Sequence, residues 1–186
     1  MLPITHPDHR HGAALEDTLD FLNTDELDGS GRQVEHFRSL ADVTAWLEEH
    51  RLLHASRRGP LDASPPERAA ELLARVLAVR AALREVVDGL VEGRAVGDDA
   101  LATVNAVLRA RSTVELVRGE GGVALAHRHS GDPLDDALAA VAEPLVSLIS
   151  TGSTDRLRIC ANDGCRWAFE DTSRTGRRRW CSMASC

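Results

Sequence analysis

The stretch CANDGCRWAFEDTSRTGRRRWCSMASC (160–186) decides how the whole sequence is interpreted. It holds all four cysteines of the protein, arranged as two C-x4-C pairs separated by 15 residues. Two close pairs across such a spacer can hold one ion from both sides, as a tetrahedral four-thiolate zinc site requires. We therefore predict one structural Zn²⁺ per chain. Its predicted ligands are Cys160, Cys165, Cys181 and Cys186.

The four cysteines could also serve purposes other than zinc binding. The amino terminus, MLPITHPDHRHG, has no basic segment followed by an apolar run, so it does not resemble a secretory signal. We therefore expect a cytoplasmic protein, in which two disulfides are disfavoured. Four buried, unligated cysteines or an iron–sulfur cluster stay open as alternatives, whereas a redox pair would normally use C-x-x-C. Zinc is the favoured interpretation.

A segment this short cannot bury enough apolar surface to fold alone, so metal binding would supply its folding free energy. The predicted order begins with a knuckle, a tight turn between Cys160 and Cys165 that Gly164 allows. A hairpin and then a helix follow it. The hairpin would pair residues 167–171 with a return strand at 177–180, and Ser182 would cap the helix. This order is typical of a treble-clef finger.

The charge of the chain is divided between its two parts. Residues 154–186 carry seven Arg and four Asp or Glu, whereas residues 1–153 carry 15 Arg and 25 Asp or Glu. If the protein contacts nucleic acid, the basic finger is the part that does so, because phosphate attraction needs a local positive field. The predicted phosphate contacts are Arg174, Arg177, Arg178 and Arg179.

The same arginines have a second interpretation. One Zn²⁺ and four thiolates carry a formal charge of −2, so Arg177, Arg178 and Arg179 could instead neutralise the metal site. Trp167 and Trp180 could stack on bases, but a small finger needs aromatic packing, and we expect both in its core.

The body of the chain shows mainly helical patterns. A helix is predicted from Ser64, acting as the cap, to Gly93, and others begin at Asp98 and at Asp132. Residues 113–118 and 123–129 flank a glycine-rich turn and predict a β-hairpin. Residues 15–24 could form a strand or a helical turn. We predict an α+β fold, with a helical ligand-binding domain at 1–152 and the finger at 153–186.

Two function classes find no support in the sequence. No apolar run approaches the length of about 18 residues that a membrane span needs. We see no G-x-S-x-G, no H-E-x-x-H and no phosphate-binding glycine loop, and four cysteines would close the coordination sphere of the zinc. We therefore expect neither a membrane protein nor an enzyme.

The finger sequence resembles that of the bacterial CGNR zinc-finger proteins, nearly continuously from Cys160 to Cys186. The segment LDFLNT (19–24) is similar to the opening motif of the ABATE domain, which precedes this finger in that family. The resemblance implies a ligand-binding α/β domain and a treble clef that binds DNA, together a stress-related transcription regulator. This sequence departs from the pattern after Cys186, where the family continues into a basic extension. We therefore expect weakened DNA contact.

Within LDFLNT, the polar side chains Asp20, Asn23 and Thr24 are the candidates for contacting an unknown small-molecule ligand. They could equally cap and brace the end of a structural element. The alternative to a DNA-binding regulator is a zinc-stabilised interaction module, such as a homodimer, that never meets DNA.

Overall fold

The computed structural model describes residues 13–28, 30–111, 113–119, 122–128, 131–182 and 186. Among these residues, helices dominate and each of three small antiparallel sheets has two strands. The elements in chain order are α1 (Leu15–Leu22), β1 (Asp25–Leu27), β2 (Gln33–Glu35), α2 (Leu40–Glu49), α3 (Ala55–Asp62), α4 (Pro66–Glu92), α5 (Asp98–Arg109), β3 (Thr113–Gly119), β4 (Gly122–Arg128), α6 (Pro133–Ser150), a 3-10 turn (Thr154–Arg156), β5 (Leu157–Ile159) and β6 (Ala168–Glu170). The predicted α+β fold is confirmed.

Helix-terminus signals in the sequence are mostly accurate. Ser39 caps α2 by accepting the Asp42 backbone N–H, and Asp132 caps α6 by accepting the N–H of Leu134. Gly93 ends α4 in the left-handed conformation, with φ +68°. The predicted start of α4 is wrong by one residue, because Pro65 is the N-cap and Ser64 donates its hydroxyl to the Pro60 carbonyl instead.

The undecided segment 15–24 forms helix α1, and its motif residues pack inward. Phe21 is fully buried, with its ring centroid 5.8 Å from that of Phe37 and 5.5 Å from that of Trp46. Such tilted aromatic pairs add to the stabilisation that burial gives. The chain then turns at Asn23 and Thr24 into the β1–β2 hairpin, which the sequence did not predict. Its register pairs Glu26 with Val34.

Helix α4 is the central element of the body. It contacts α1, α2, α5 and α6, and its side chains Val76, Leu83 and Val87 have no exposed surface. The same hydrophobic cluster takes Leu138 and Leu145 from α6. Fully burying side chains of this size contributes about 1.5–3 kcal/mol each.

The predicted β-hairpin at 113–129 is confirmed as β3 and β4, with Leu116 opposite Leu125 and Arg118 opposite Val123. Residues 120, 121 and 129 lie outside the described residues. Leu116 and Val123 are 76% and 78% exposed. Position 125 is opposite Leu116 and two residues from Val123 along β4, so Leu116 and Val123 lie on one face of the hairpin, where both side chains are exposed beside Arg118.

The finger strands pair differently from the prediction. β5 pairs with β6, matching Leu157 with Glu170 and Ile159 with Ala168, so the first C-x4-C pair lies within the connection between them. Residues 177–179 form no strand; one backbone hydrogen bond, from Ala161 N–H to the Arg179 carbonyl (2.8 Å), fixes them beside the knuckle. The helix predicted after Ser182 falls on residues 183–185, outside the described residues, so the treble-clef topology stays a prediction.

The finger and the body share one hydrophobic core. Leu157 and Ala168 are each 1% exposed and belong to the same buried cluster as the helices of the body. β5 packs on α4, and β6 packs on α1. The predicted boundary near residue 152 therefore separates two parts of the chain that are packed together.

None of the described helices combines the length and apolar character needed to cross a membrane.

Candidate metal centre and its junction with the body

The four cysteine sulfurs converge on one point. All four Sγ atoms lie within 4.8 Å of one another, with 3.6 Å between Cys165 and Cys181 and 3.5 Å between Cys181 and Cys186. A tetrahedral zinc ion with Zn–S bonds of about 2.3 Å separates its sulfurs by about 3.8 Å, whereas a disulfide needs about 2.05 Å. The cysteines are unpaired, and the sulfur tetrahedron fits zinc. The finger holds one structural zinc ion, as predicted.

Asn162 builds the knuckle that carries the first two ligands. Its carbonyl accepts the N–H groups of Cys165 (2.9 Å) and Arg166 (3.1 Å), and its side-chain Oδ1 accepts the Gly164 N–H at 3.0 Å. The left-handed residue is Arg166, with φ +58°, and Gly164 has no positive φ. The chain therefore turns at residues 163–165, around Gly164 as expected, and the left-handed conformation follows at Arg166.

The protonation of the thiols responds to this geometry. Burial raises the pKa of Cys160, but the backbone N–H groups of Cys181 and Asn162 hydrogen-bond its sulfur and leave the pKa below the ordinary value of 9.0. Burial and the neighbouring sulfurs of Cys186 and Cys165 raise the pKa of Cys181 well above its ordinary range. Four sulfurs this close cannot all ionise without a compensating cation, because like charges repel at short range. Zinc supplies that cation and displaces the thiol protons.

Asp171 organises the loop that returns the chain to the second cysteine pair. It is 1% exposed and accepts the backbone N–H groups of Ser173 (2.9 Å) and Arg178 (2.7 Å). A hydrogen bond from the Ser173 side chain, and after it the backbone bonds from Arg178 and Ser173, lower the pKa of the Asp171 carboxyl group, although burial opposes them. The Arg156 guanidinium donates to the Asp171 and Ser173 carbonyls and lies against Gly176, where a Cβ atom would come within 2.8 Å of Arg156 Nη1. A larger residue here would displace the Arg156 guanidinium, and φ +62° also favours glycine.

The four arginines predicted to bind nucleic acid differ in their surroundings. Arg174, Arg177 and Arg179 are exposed. Arg178 is half-buried; its guanidinium lies 5.1 Å from the Phe169 ring centroid and donates to the Cys181 carbonyl. Its buried Nε has no hydrogen-bond partner among the described residues. Arg178 therefore braces the second cysteine pair, and the other three are free to face solvent.

The expectation that both finger tryptophans are core residues fails for Trp167. Its ring is 36% exposed, and its indole N–H donates to Glu26 Oε2 on β1 at 2.8 Å. Trp180 is half-buried, with the Arg179 guanidinium 5.4 Å from its ring centroid.

Asn23 joins the body to the finger. Its side-chain Nδ2 donates to the Ala168 carbonyl and its Oδ1 accepts the Ala168 N–H, both at 2.9 Å. The amide thus pairs with β6 as a neighbouring strand would. A third link runs from Arg84 Nη2 to the Arg166 carbonyl at 2.8 Å. Asn23, the Trp167–Glu26 bond and this arginine together fix the knuckle on the body.

The other two residues proposed for ligand contact also lie at this end of α1. Thr24 is buried, donates to the Phe21 carbonyl and accepts from Arg80 Nη1. Asp20 is exposed; partial desolvation, with Glu16 and Asp17 nearby, raises the pKa of its carboxyl group. For Asn23 and Thr24 the structure shows the bracing role that the sequence left open. Their contact with a ligand stays a prediction.

Arg80 on α4 and Glu35 on β2 form an ion pair within the body, in which Arg80 is buried and Glu35 is partly exposed. Arg80 is 5% exposed and donates from Nη1 to Glu35 Oε1 at 2.8 Å, with a second bond between Nη2 and Oε2. Although partial burial raises the pKa of Glu35, the bonds from Arg80 and the Phe37 N–H outweigh it, so the pKa lies below its ordinary value of 4.5. Neither residue belongs to a sequence motif, so this ion pair could not be predicted before the structure was known.

Comparison with known families agrees with this geometry. Residues 18–152 match the ABATE family, whose description reads "Putative stress-induced transcription regulator", and residues 156–186 match the CGNR zinc finger. No curated protein matches the chain significantly. The chain therefore belongs to the ABATE family and carries a CGNR zinc finger after that domain.

Proposed function

We propose that the protein is a transcription regulator whose zinc finger binds DNA and whose body binds a small ligand. The observation that carries the proposal is the set of three exposed guanidinium groups, Arg174, Arg177 and Arg179, on a zinc-held finger. The description of the ABATE family supports the same role. No catalysis is proposed, because four thiolates fill a tetrahedral zinc site and leave no position for a substrate.

The charge distribution confines the DNA contact to the finger. Outside residues 154–186 the chain has ten more carboxylates than arginines, which repels phosphate. An arginine can donate two parallel hydrogen bonds to one phosphate, so three exposed arginines can span several phosphates of a strand. Contacts of this kind position the finger but do not select a sequence.

The test is a titration of labelled duplex DNA, followed by fluorescence anisotropy at rising salt. Three phosphate contacts predict that log K falls with log[salt] with a slope of about −2.7. Replacing Arg174, Arg177 and Arg179 together by Gln should bring the slope close to zero. Arg68→Gln, which changes an exposed arginine on α4, is the matched control and should leave the slope unchanged. Binding by the wild-type protein that does not depend on salt, or no binding at low salt, contradicts the proposal.

A second candidate is a zinc-stabilised dimerisation module, favoured by two exposed apolar side chains on one face of the β3–β4 hairpin. Leu116 and Val123 are far more exposed than side chains of this kind usually are, and a second copy could cover both. Light scattering on a sizing column should then give twice the chain mass, and Leu116→Glu should give the monomer. A monomeric wild-type protein at high concentration excludes this candidate.

A further inference from the structure

An open cleft of about 600 Å³ lies where the body meets the zinc knuckle. Its walls come from α4, from the β1–β2 hairpin and from the knuckle residues Cys165 and Arg166. This volume falls within the usual range for small-molecule sites, about 300–1,000 Å³. Since one wall belongs to the finger, the cleft is complete only when the finger is docked on the body.

The cleft presents cations and anions in equal number. Its charged side chains are Arg80, Arg84, Arg94, Arg166, Asp25, Glu26, Glu85 and Asp88. Three of the arginines bind carboxylates of the protein. Arg80 binds Glu35, Arg84 Nε donates to Asp88 at 2.8 Å, and Arg94 Nε donates to Glu92 at 2.6 Å.

Arg166 is the remaining arginine of the cleft. It is exposed, and within the described part of the chain no carboxylate lies within ion-pair distance of it. Its backbone is held by the hydrogen bond from Arg84 and by the knuckle, so the position of its side chain is restricted at its base. The guanidinium is therefore available to an anionic group of a ligand.

Glu85 and Glu26 are the matching anions. Glu85 Oε1 accepts the Gly97 N–H at 2.7 Å and has no hydrogen bond to an arginine among the described residues. Glu26 accepts from the Trp167 indole and pairs with His36 Nε2 at 2.8 Å. Both carboxylates keep acceptor capacity for an ammonium group, because an ionised carboxylate can accept about four hydrogen bonds.

We propose that this cleft is the ligand site of the protein and that it binds zwitterions of amino-acid to dipeptide size. Because Arg80, Arg84 and Arg94 are paired, a zwitterion can set its carboxylate toward Arg166 and its ammonium toward Glu85, whereas a ligand with a single charge can pair with only one of them. Leu27 and Leu77, which are half-buried, line the same cleft and offer contact to an apolar side chain of the ligand. The inference rests on the ligand-binding half of the proposed function and does not depend on DNA.

In this arrangement, binding of the ligand depends on binding of zinc. Cys165 binds zinc and Arg166 follows it directly, so the metal fixes the backbone that presents the guanidinium. Removing zinc releases that wall of the cleft. Ligand binding is therefore expected only in the zinc-loaded protein.

The test uses the zinc-loaded full chain, with the standard L-amino acids and the dipeptide glycyl-leucine as probes in a thermal-shift screen followed by calorimetry. For leucine, the matched analogues are 4-methylvalerate, which lacks the amine, and isoamylamine, which lacks the carboxylate. At least one zwitterion should bind, and its two single-charge analogues should each bind about tenfold more weakly or worse, since each loses a charge-assisted hydrogen bond.

Two amino-acid substitutions in the cleft test whether the ligand binds there. Arg166→Gln and Glu85→Gln should each weaken binding about tenfold, and Gln at position 85 can still accept the Gly97 N–H. Arg68→Gln, which changes an exposed arginine outside the cleft that has no proposed role in binding, is the matched control and should bind as the wild type does. The inference is overturned if no probe binds at millimolar concentration, if the analogues bind as well as the zwitterion, or if both cleft variants bind normally. None of these outcomes depends on whether the finger binds DNA.

Discussion

Asn23→Ala should uncouple the finger from the body, since Asn23 supplies two of the hydrogen bonds that join them. The substitution leaves the N–H and carbonyl of Ala168 without partners at a position that is 1% exposed. Each buried polar group left unsatisfied costs about 1–3 kcal/mol, so the loss lies between about 2 and 6 kcal/mol. Water entering the space of the missing amide would recover part of this, and we expect about 3 kcal/mol.

Urea unfolding of the zinc-loaded protein measures this loss. With a slope of about 2 kcal/mol per molar urea, the midpoint should fall by about 1.5 M. Zinc transfer to a chromogenic chelator should also become faster, because β6 no longer holds the knuckle against α1. Asn105→Ala, at an exposed position on α5, is the control and should change stability by less than about 0.5 kcal/mol. Unchanged stability and unchanged zinc release in Asn23→Ala would refute the coupling of finger and body.

Two further predictions concern the Arg80–Glu35 ion pair of the body and the removal of zinc. Glu35→Gln removes the charge that faces the buried Arg80 and should destabilise the protein by about 1–3 kcal/mol at pH 7, less than a fully buried pair because Glu35 is partly exposed. Because the folded pKa of Glu35 is lowered, its contribution is present above its ordinary value of 4.5 and is lost as pH falls through the folded value. The stability gap between wild type and variant should therefore narrow as the pH falls below 4.5, and a gap that stays constant from pH 7 to pH 3 counts against the ion pair. Removing zinc should lower the melting temperature of the helices, which lie in the body, by several degrees, at about 2–4 °C per kcal/mol of lost stability. Circular dichroism at 222 nm measures this, and identical melting of the metal-free and zinc-loaded proteins would show that the two parts fold independently.

The parts of the fold that depend on local signals were predictable. Ser39, Gly93 and Asp132 mark helix ends through their own backbone preferences and hydrogen bonds, and the hairpin at 113–129 follows from alternation around a glycine-rich turn. The zinc ligands were predictable for the same reason, because cysteine spacing alone constrains the geometry of the ion.

The parts of the fold that depend on long-range contacts could not be predicted from the sequence. The strand that pairs with β6 is β5, and the choice is made by the core that Leu157 and Ala168 enter beneath α4 and α1. Nothing near Asn23 in the sequence indicates that its amide will meet a strand 145 residues later. Asn162 could have been found, because Asn-Asp-Gly is a strong turn signal that places hydrogen-bonding side chains within a knuckle.

The formal charges of the finger arginines do not predict which of them are exposed. Arg178 carries the same formal charge as its neighbours, but packing on Phe169 and the bond to the Cys181 carbonyl place it inside the finger. Only three members of the predicted set of four therefore remain exposed for a phosphate.

Metal analysis of the protein, purified without added zinc or chelator, tests the central claim most directly. Native mass spectrometry should show one zinc per chain, and Cys160, Cys165, Cys181 and Cys186 should react with an alkylating reagent only after the metal is removed. A metal-free protein, whether its cysteines are paired with one another or free to react at once, would contradict the account.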